Sequence, residues 1–495
     1  MTTNNTNTIT TTDTDNSINN TNTTNINTKD STNQNNDDTV NIIRSGLQQY
    51  HQSASATSSI TYAPITASPP ATSFSLLGSG NGGSKLGTIT VWLTSECNLR
   101  CKYCFVYKLN EKQSPGKMSI ETADQLIRFA EQYLQPEGTF WFFGAEPLCN
   151  IETMKYIVEK SVKEGYKWKY GATTNATLLT KDTVQWMKKH NFTVLCSIDG
   201  PKTAHNKNRV YPNGEGSWDD AWQGLSNVRE ILGVEPQVRW TVTPSTLRGL
   251  AENIRVFVEE YHITNMPIDF VHEVEWTQED YDTLRVELEI FRDYYTKWMM
   301  QGLSVFSMWV RDTNAAVNSE VGRQWRSRCG LGTGSVGVDY DGTIYPCHRF
   351  IDSHEIKIGN IYSGFNSMQR EWMEKWLKMP PYCEIPKKCL HCNYKRACSG
   401  GCVAMNYDIL GTVHAIPDTF CTIKQLITKV FGELCKSLQN SGNETFNKLY
   451  NNRQLKQKRT NQNSNNIINQ NRPNQNSSTP YQTTKDLCSC QTKPN

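Results

Sequence analysis

From residue 88 to residue 271 the chain alternates short runs of β-branched and aromatic residues with longer amphipathic ones. That alternation is the strongest constraint on what it can fold into. Residues 88–94 (Thr-Ile-Thr-Val-Trp-Leu-Thr) read as a buried strand, and 119–134 as a helix with Leu126, Phe129, Ala130 and Tyr133 on one face. Further strands are expected at 139–143, 167–174, 192–198, 238–242 and 266–271. Helices are expected at 151–162, at 180–190 behind Thr180 as N-cap, at 217–232, near 250–261, and at 277–301. Strand–helix units joined by short turns imply an α/β fold, a parallel sheet with helices outside. In such a fold reacting groups collect at the C-terminal ends of the strands, so polar or Gly-rich motifs should follow them.

They do. The first strand runs into Cys97-Asn-Leu-Arg-Cys101-Lys-Tyr-Cys104. Three thiolates on one tight loop can hold three corners of an iron–sulfur cube, which normally takes four. An iron left open is a reactive position, by the logic used for zinc. A zinc site or unpaired buried thiols is the alternative for this loop taken alone. The second strand ends in Gly144-Ala-Glu-Pro147, the third in Thr173-Thr-Asn175, and the fourth in Ser197-Ile-Asp-Gly-Pro201, then His205 and Arg209. Turn capping is the competing role for Thr174, Asn175 and Asp199. Cys149 and Cys196 fall outside any ligand spacing and read as small buried hydrophobes.

The C-x3-C-x2-C spacing with an aromatic before the last cysteine resembles the signature of radical S-adenosylmethionine (radical SAM) enzymes, whose usual fold is a partial (β/α)6 barrel. The resemblance implies that Cys97, Cys101 and Cys104 hold a [4Fe–4S] cluster whose open iron chelates S-adenosylmethionine. Gly144–Pro147 resembles the family's Gly-Gly-Glu-Pro motif, which holds the amino group. Ala145 departs from that motif and requires an ordinary φ there. Thr174, Asn175 and Ser197 are then implied as cofactor contacts, Tyr103 as a neighbour of adenine, and Arg209 as a bidentate partner of the methionine carboxylate.

A second cysteine set follows: Cys329, Cys347 in Gly342-Thr-Ile-Tyr-Pro-Cys347, Cys389-Leu-His-Cys392, Cys398-Ser-Gly-Gly-Cys402, and Cys421. Its order and spacing resemble the SPASM domain, the mark of the peptide-modifying branch. By that resemblance Cys389, Cys392, Cys398 and Cys421 hold a distal auxiliary [4Fe–4S] cluster, and Cys329, Cys347 and Cys402 a nearer one. The fourth ligand of the nearer cluster is open: Cys383, another residue or a substrate thiolate. A zinc ribbon would explain the central run but not Cys329 and Cys347.

The division expected is a disordered Thr/Asn-rich segment 1–85, a barrel 86–305, a Cys-rich auxiliary-cluster domain 306–438 with little regular periodicity, and a disordered Asn/Gln-rich tail 439–495 containing Cys488 and Cys490. A net charge of +3 predicts neither a nucleic-acid nor a membrane-surface partner. No apolar window of about 18 residues predicts a spanning helix. With 16 cysteines at metal-like spacings and no leader-like opening, the chain reads as cytoplasmic and reduced.

The resemblance implies reductive cleavage of S-adenosylmethionine, with electrons from a donor such as flavodoxin or ferredoxin, and oxidation of a peptide or protein side chain. Anaerobic sulfatase maturases, which make formylglycine, place an Asp after the cysteine at the Cys347 position. Here His348 stands there as the candidate catalytic base, and the Tyr-Pro-Cys-His run looks more like maturases that form thioether cross-links. Thioether formation is the expected outcome, with formylglycine as the alternative. An iron–sulfur electron carrier or scaffold is the non-enzymatic one.

Overall fold

The computed structural model describes residues 85–106, 116–317, 331, 334–351, 353–366, 386–395, 398 and 400–451. The expected tails, except for 85 and 439–451, and Cys329, Cys383, Cys488 and Cys490 lie outside them.

Six parallel strands form the core: β1 (Leu86–Trp92), β2 (Leu134–Phe143), β3 (Lys169–Thr174), β4 (Thr193–Ser197), β5 (Gln237–Val242) and β6 (Ile268–Phe270), each beside the next. Between or after them run α1 (Ile120–Tyr133), α2 (Ile151–Lys163), α3 (Lys181–Lys189), α4 (Lys202–Asn208), α5 (Trp218–Leu232), α6 (Leu250–Glu259) and α7 (Gln278–Met300). The helix starts follow the side-chain chemistry. Ser119 and Thr180 accept from the amides of Thr122 and Thr183, and Thr277 and Asp280 form a reciprocal capping box.

Strand alternation sets the two faces of the sheet. Ile89, Val91, Phe140, Phe142, Tyr170, Ala172, Val194, Cys196, Val238 and Trp240 are buried in the core. Thr90, Trp141, Thr173, Leu195, Ser197, Arg239 and Thr241 share the other, half-buried face. The Trp141 ring lies where a Cβ on its sheet neighbour Gly171 would come within 2.4 Å, which is why that position has no side chain. Its indole N–H donates to Thr173 Oγ1 at 2.9 Å.

The stretch beyond α7 is more regular than its composition predicts. β7 (Ser335–Val338) pairs with β1 in parallel, and β8 (Thr343–Tyr345), β9 (Gly359–Asn360) and β10 (Gly364–Phe365) continue antiparallel, giving the order β10-β9-β8-β7-β1-β2-β3-β4-β5-β6. Helices α8 (Met308–Val317), α9 (Val403–Leu410) and α10 (Asp418–Asn440) accompany them. α10 buries Ile423, Ile427, Phe431, Cys435 and Leu438, a stripe spaced mostly at i+4 that the intervening Lys and Thr residues obscure. Phe431 meets Phe291 of α7 edge-on at 5.7 Å.

The ordered chain also runs past 438, where a disordered tail was expected. Phe446 is fully buried, and the Tyr450 hydroxyl lies 2.9 Å from that of Tyr295 while accepting from the Ser307 amide at 3.0 Å. Phe446 and Tyr450, with Leu449 packed against the core between them, provide the buried surface that orders this Asn-rich stretch. Phe446→Ala is therefore expected to cost about 3 kcal/mol in urea unfolding; a cost under about 0.5 kcal/mol, usual for a surface site, would contradict this packing.

Candidate active site

The three-cysteine loop leaves β1 at the sheet's C-terminal edge and is held from several sides. The Leu99 amide approaches Cys97 Sγ at 3.3 Å, and the Arg100 guanidinium donates to the carbonyls of Cys97 and Leu99 at 2.9 and 2.8 Å. The Cys104 amide donates to the Cys101 carbonyl at 3.0 Å. The Asn175 amide side chain donates to Asn98 Oδ1 at 2.8 Å and reaches Cys97 Sγ at 3.8 Å, so the end of β3 touches the loop.

Gly144 and its neighbours close the adjacent corner. Gly144 adopts φ of 127°, and a Cβ there would come within 2.6 Å of the Thr94 carbonyl, so only glycine permits this approach. Ala145 is absent from the positive-φ residues, as the substitution at that position requires. The amides of Ala145 and Glu146 donate to the carbonyls of Thr94 and Glu96 at 3.2 and 3.0 Å, tying this turn to the loop's root. The Glu146 carboxylate, 1% exposed, accepts from Thr174 Oγ1 and the Asn175 amide, each at 2.7 Å, and from the Leu148 amide at 3.2 Å. Burial pushes its pKa up to about 7 against the pull of these donors and of Arg209.

The end of β4 supplies Ser197, in register with Arg239 on β5, and then Asp199, which is a hub rather than a turn cap. Arg209 Nε lies 2.9 Å from Asp199 Oδ2, and its Nη2 donates to Oδ1 at 3.2 Å. The carboxylate that Arg209 meets in this structure is thus internal. The Tyr103 hydroxyl donates to Asp199 Oδ2 at 2.6 Å beneath the Arg209 guanidinium. Burial, against the pull of Arg209, raises the Tyr103 pKa well above the ordinary value. Burial alone would lower that of Arg209, but Asp199 and Tyr103 hold it above the ordinary arginine value.

His348 packs its ring on Phe143, the last residue of β2, at 4.5 Å, with Nδ1 3.7 Å from Cys347 Sγ. Burial and the neighbouring Arg349 push its pKa down to about 4. Arg349 gave no signal in the sequence. Its guanidinium stacks on Phe105 at 4.6 Å and pairs with Glu273 at 2.6 Å and Asp408 at 3.4 Å, joining the cysteine loop, the chain after β6 and α9. Exposed Cys402 precedes α9 and lies within its electrostatic reach.

Cys389, Cys392, Cys398 and Cys421 line one cavity with Lys395, Ile416 and Lys424. Among the described residues no three His, Cys, Asp or Glu side chains converge as ligands of a single metal ion.

Residues 93–247 match the model of the Radical SAM superfamily. The core of this chain is a radical SAM domain. The cysteine-type anaerobic sulfatase-maturating enzyme of Clostridium novyi (strain NT) is 25% identical over 334 residues, covering 62% of this chain and 85% of that protein. The radical SAM cyclopropyl synthase TigE of Paramaledivibacter caminithermalis is 22% identical over 363 residues, covering 70% and 74%. The solved structure of native anSMEcpe with bound AdoMet superposes with a TM-score of 0.59 at 20% identity, over 72% of this chain and 99% of that one, which establishes the likeness of fold.

Such a domain carries a [4Fe–4S] cluster and S-adenosylmethionine, and the donor set here fits. The three thiols come from one loop, and burial pushes Cys101 up to about 12 and Cys97 higher. Thiols so buried become thiolates only against a cationic centre. Gly144→Ala is expected to lower the melting temperature and the iron retained after reconstitution, since positive-φ strain alone costs about 1–3 kcal/mol. A variant that melts and loads iron as the parent does would refute the close approach to Thr94.

Proposed function

We propose that this radical SAM enzyme oxidises a side chain of a peptide or protein held at the mouth of its sheet. The observation that carries the reading is the gathering of the three-cysteine loop, Gly144–Pro147, Thr174, Asn175 and Ser197 at the ends of four adjacent parallel strands. An electron carrier has no use for such a set. Cys97, Cys101 and Cys104 would hold the cluster, and the residues around them would bind and orient S-adenosylmethionine. When bound, the pair supplies a 5′-deoxyadenosyl radical able to take a hydrogen atom from the substrate. The chain's own work is positional: Glu146 fixes the end of β3 against that of β2, and the β4 end presents Ser197. Cys389, Cys392, Cys398 and Cys421 would hold a distal auxiliary cluster, and Cys347 and Cys402 part of a nearer one. His348, beside Phe143, would accept the substrate proton.

The peptide class is supported by relatives named as sulfatase-maturating enzymes. Thioether formation is the product we favour, on the Tyr345-Pro-Cys-His348 run. Formylglycine formation is the second reading, favoured by those same relatives. Both require an external low-potential electron donor.

Anaerobic reconstitution with iron, sulfide, dithionite and S-adenosylmethionine is expected to yield 5′-deoxyadenosine, and the triple variant Cys97→Ala, Cys101→Ala, Cys104→Ala none. Equal yields would end the radical reading. Mass spectra of cysteine-containing candidate peptides should show loss of two hydrogens with sulfur kept for a thioether; loss of the sulfur would favour formylglycine. The double variant Cys389→Ala, Cys421→Ala should lose about four irons per chain, one cube's worth. Unchanged iron content would remove the distal auxiliary cluster.

A further inference from the structure

The backbone holds the segments that carry Cys101 and Arg209 side by side. The Arg100 amide donates to the Val210 carbonyl at 2.7 Å and the Lys102 amide to the Asn208 carbonyl at 3.0 Å, bracketing the pair on both sides. Arg209 is anchored at its other end as well. Its guanidinium is paired with Asp199, whose side chain is fully buried, and lies 5.5 Å from the centre of the Tyr103 ring. Asp199 is fixed in turn by the Tyr103 hydroxyl at 2.6 Å and the Thr241 amide at 2.8 Å. Its own amide donates to His205 Nδ1 at 3.2 Å, and Nε2 of that ring lies 3.1 Å from Ser217 Oγ. The cysteine loop, the β4 end, α4 and β5 thus converge on one buried ion pair whose cationic end lies within electrostatic reach of the Cys101 sulfur.

A cluster on this loop gains one negative charge when an external low-potential donor passes it an electron; no bond forms or breaks. Hydrogen bonds to the sulfurs, net charge and burial set the potential of such a centre. A fixed cation beside a ligand sulfur favours the more negative, reduced state, and low exposure keeps solvent from screening it. The fully buried carboxylate behind Arg209 opposes that effect while holding the guanidinium in place.

We propose that Arg209, held by Asp199, is a positioning residue that sets the reduction potential of the cluster on Cys97, Cys101 and Cys104 through its fixed charge beside the cysteine loop. This rests on the reading that those cysteines bind a [4Fe–4S] cluster, and it assigns Arg209 an electrostatic role that needs no contact with S-adenosylmethionine.

The test is an anaerobic redox titration of the reconstituted full chain, followed by electron paramagnetic resonance on the signal that changes when S-adenosylmethionine is added. Arg209→Gln is expected to lower the reduced-to-oxidised ratio at fixed poise about tenfold, equal to about 59 mV in a one-electron couple. Asp199→Asn is expected to shift the midpoint the other way, and Arg209→Lys to stay within about threefold of the parent ratio. Opposite shifts are a signature that loosened packing does not produce. Unchanged midpoints, or shifts of the same sign, would overturn the proposal even if iron content or melting temperature falls. Should Arg209→Gln take up no iron, the other two variants decide: Arg209→Lys shifted tenfold, or Asp199→Asn unshifted, overturns it. No S-adenosylmethionine-responsive signal in the parent chain would instead overturn the cluster reading itself.

Discussion

The whole mouth hangs from a strand with both backbone edges paired. β1 has β2 on one side and β7 on the other, both parallel, with Ile89 and Val91 matched to partners on each. Paired amides and carbonyls on both sides leave its exit direction little freedom. The loop carrying Cys97 therefore starts from a fixed point, and the turn at Gly144 and the chain after Asn208 can close on it through backbone hydrogen bonds alone. The same pairing ties the cysteine-rich half of the molecule to the barrel, because β7 leads through β8 to Cys347.

Buried charge is handled in two ways around this point. Glu146 has no cationic partner among its hydrogen bonds: two amides and a hydroxyl surround its carboxylate, and burial raises its pKa. Asp199 has Arg209. A lone carboxylate among neutral donors can change protonation state as its surroundings change, whereas removing either partner of an ion pair of this depth leaves the other uncompensated. The first arrangement joins two strand ends; the second joins the cysteine loop to α4.

The sequence displayed the barrel because its strands and helices differ sharply in period, and because each strand end carries a short polar motif. Thr180, Ser119 and Thr277 mark helix starts that the structure reproduces to within a residue or two. Juxtapositions made by tertiary packing were not legible. Turn capping competes for Asp199 in the sequence because its partners, Tyr103, Arg209 and Thr241, come from three separate segments. Arg349 carried no signal because Phe105, Glu273 and Asp408 are distant in the chain. α10 leaves little trace in the sequence because its apolar stripe is thin and interrupted by lysines. The order at Phe446 and Tyr450 leaves little trace because two aromatic residues hardly change the composition of an Asn-rich stretch, yet both are buried.

The placement of Cys421 has a mechanical meaning. It sits in the first turn of α10, where Phe420 meets His272 at 5.3 Å and Lys424 one turn on pairs with Asp312 of α8 at 3.4 Å, while Phe431 and Cys435 fasten the later turns to α7 and α8. The four-thiol cavity is therefore built against a helix seated along its whole length. The ring, ion-pair and apolar contacts that seat α10 do not pass through the thiols, so the cavity can empty without unseating the helix it leans on.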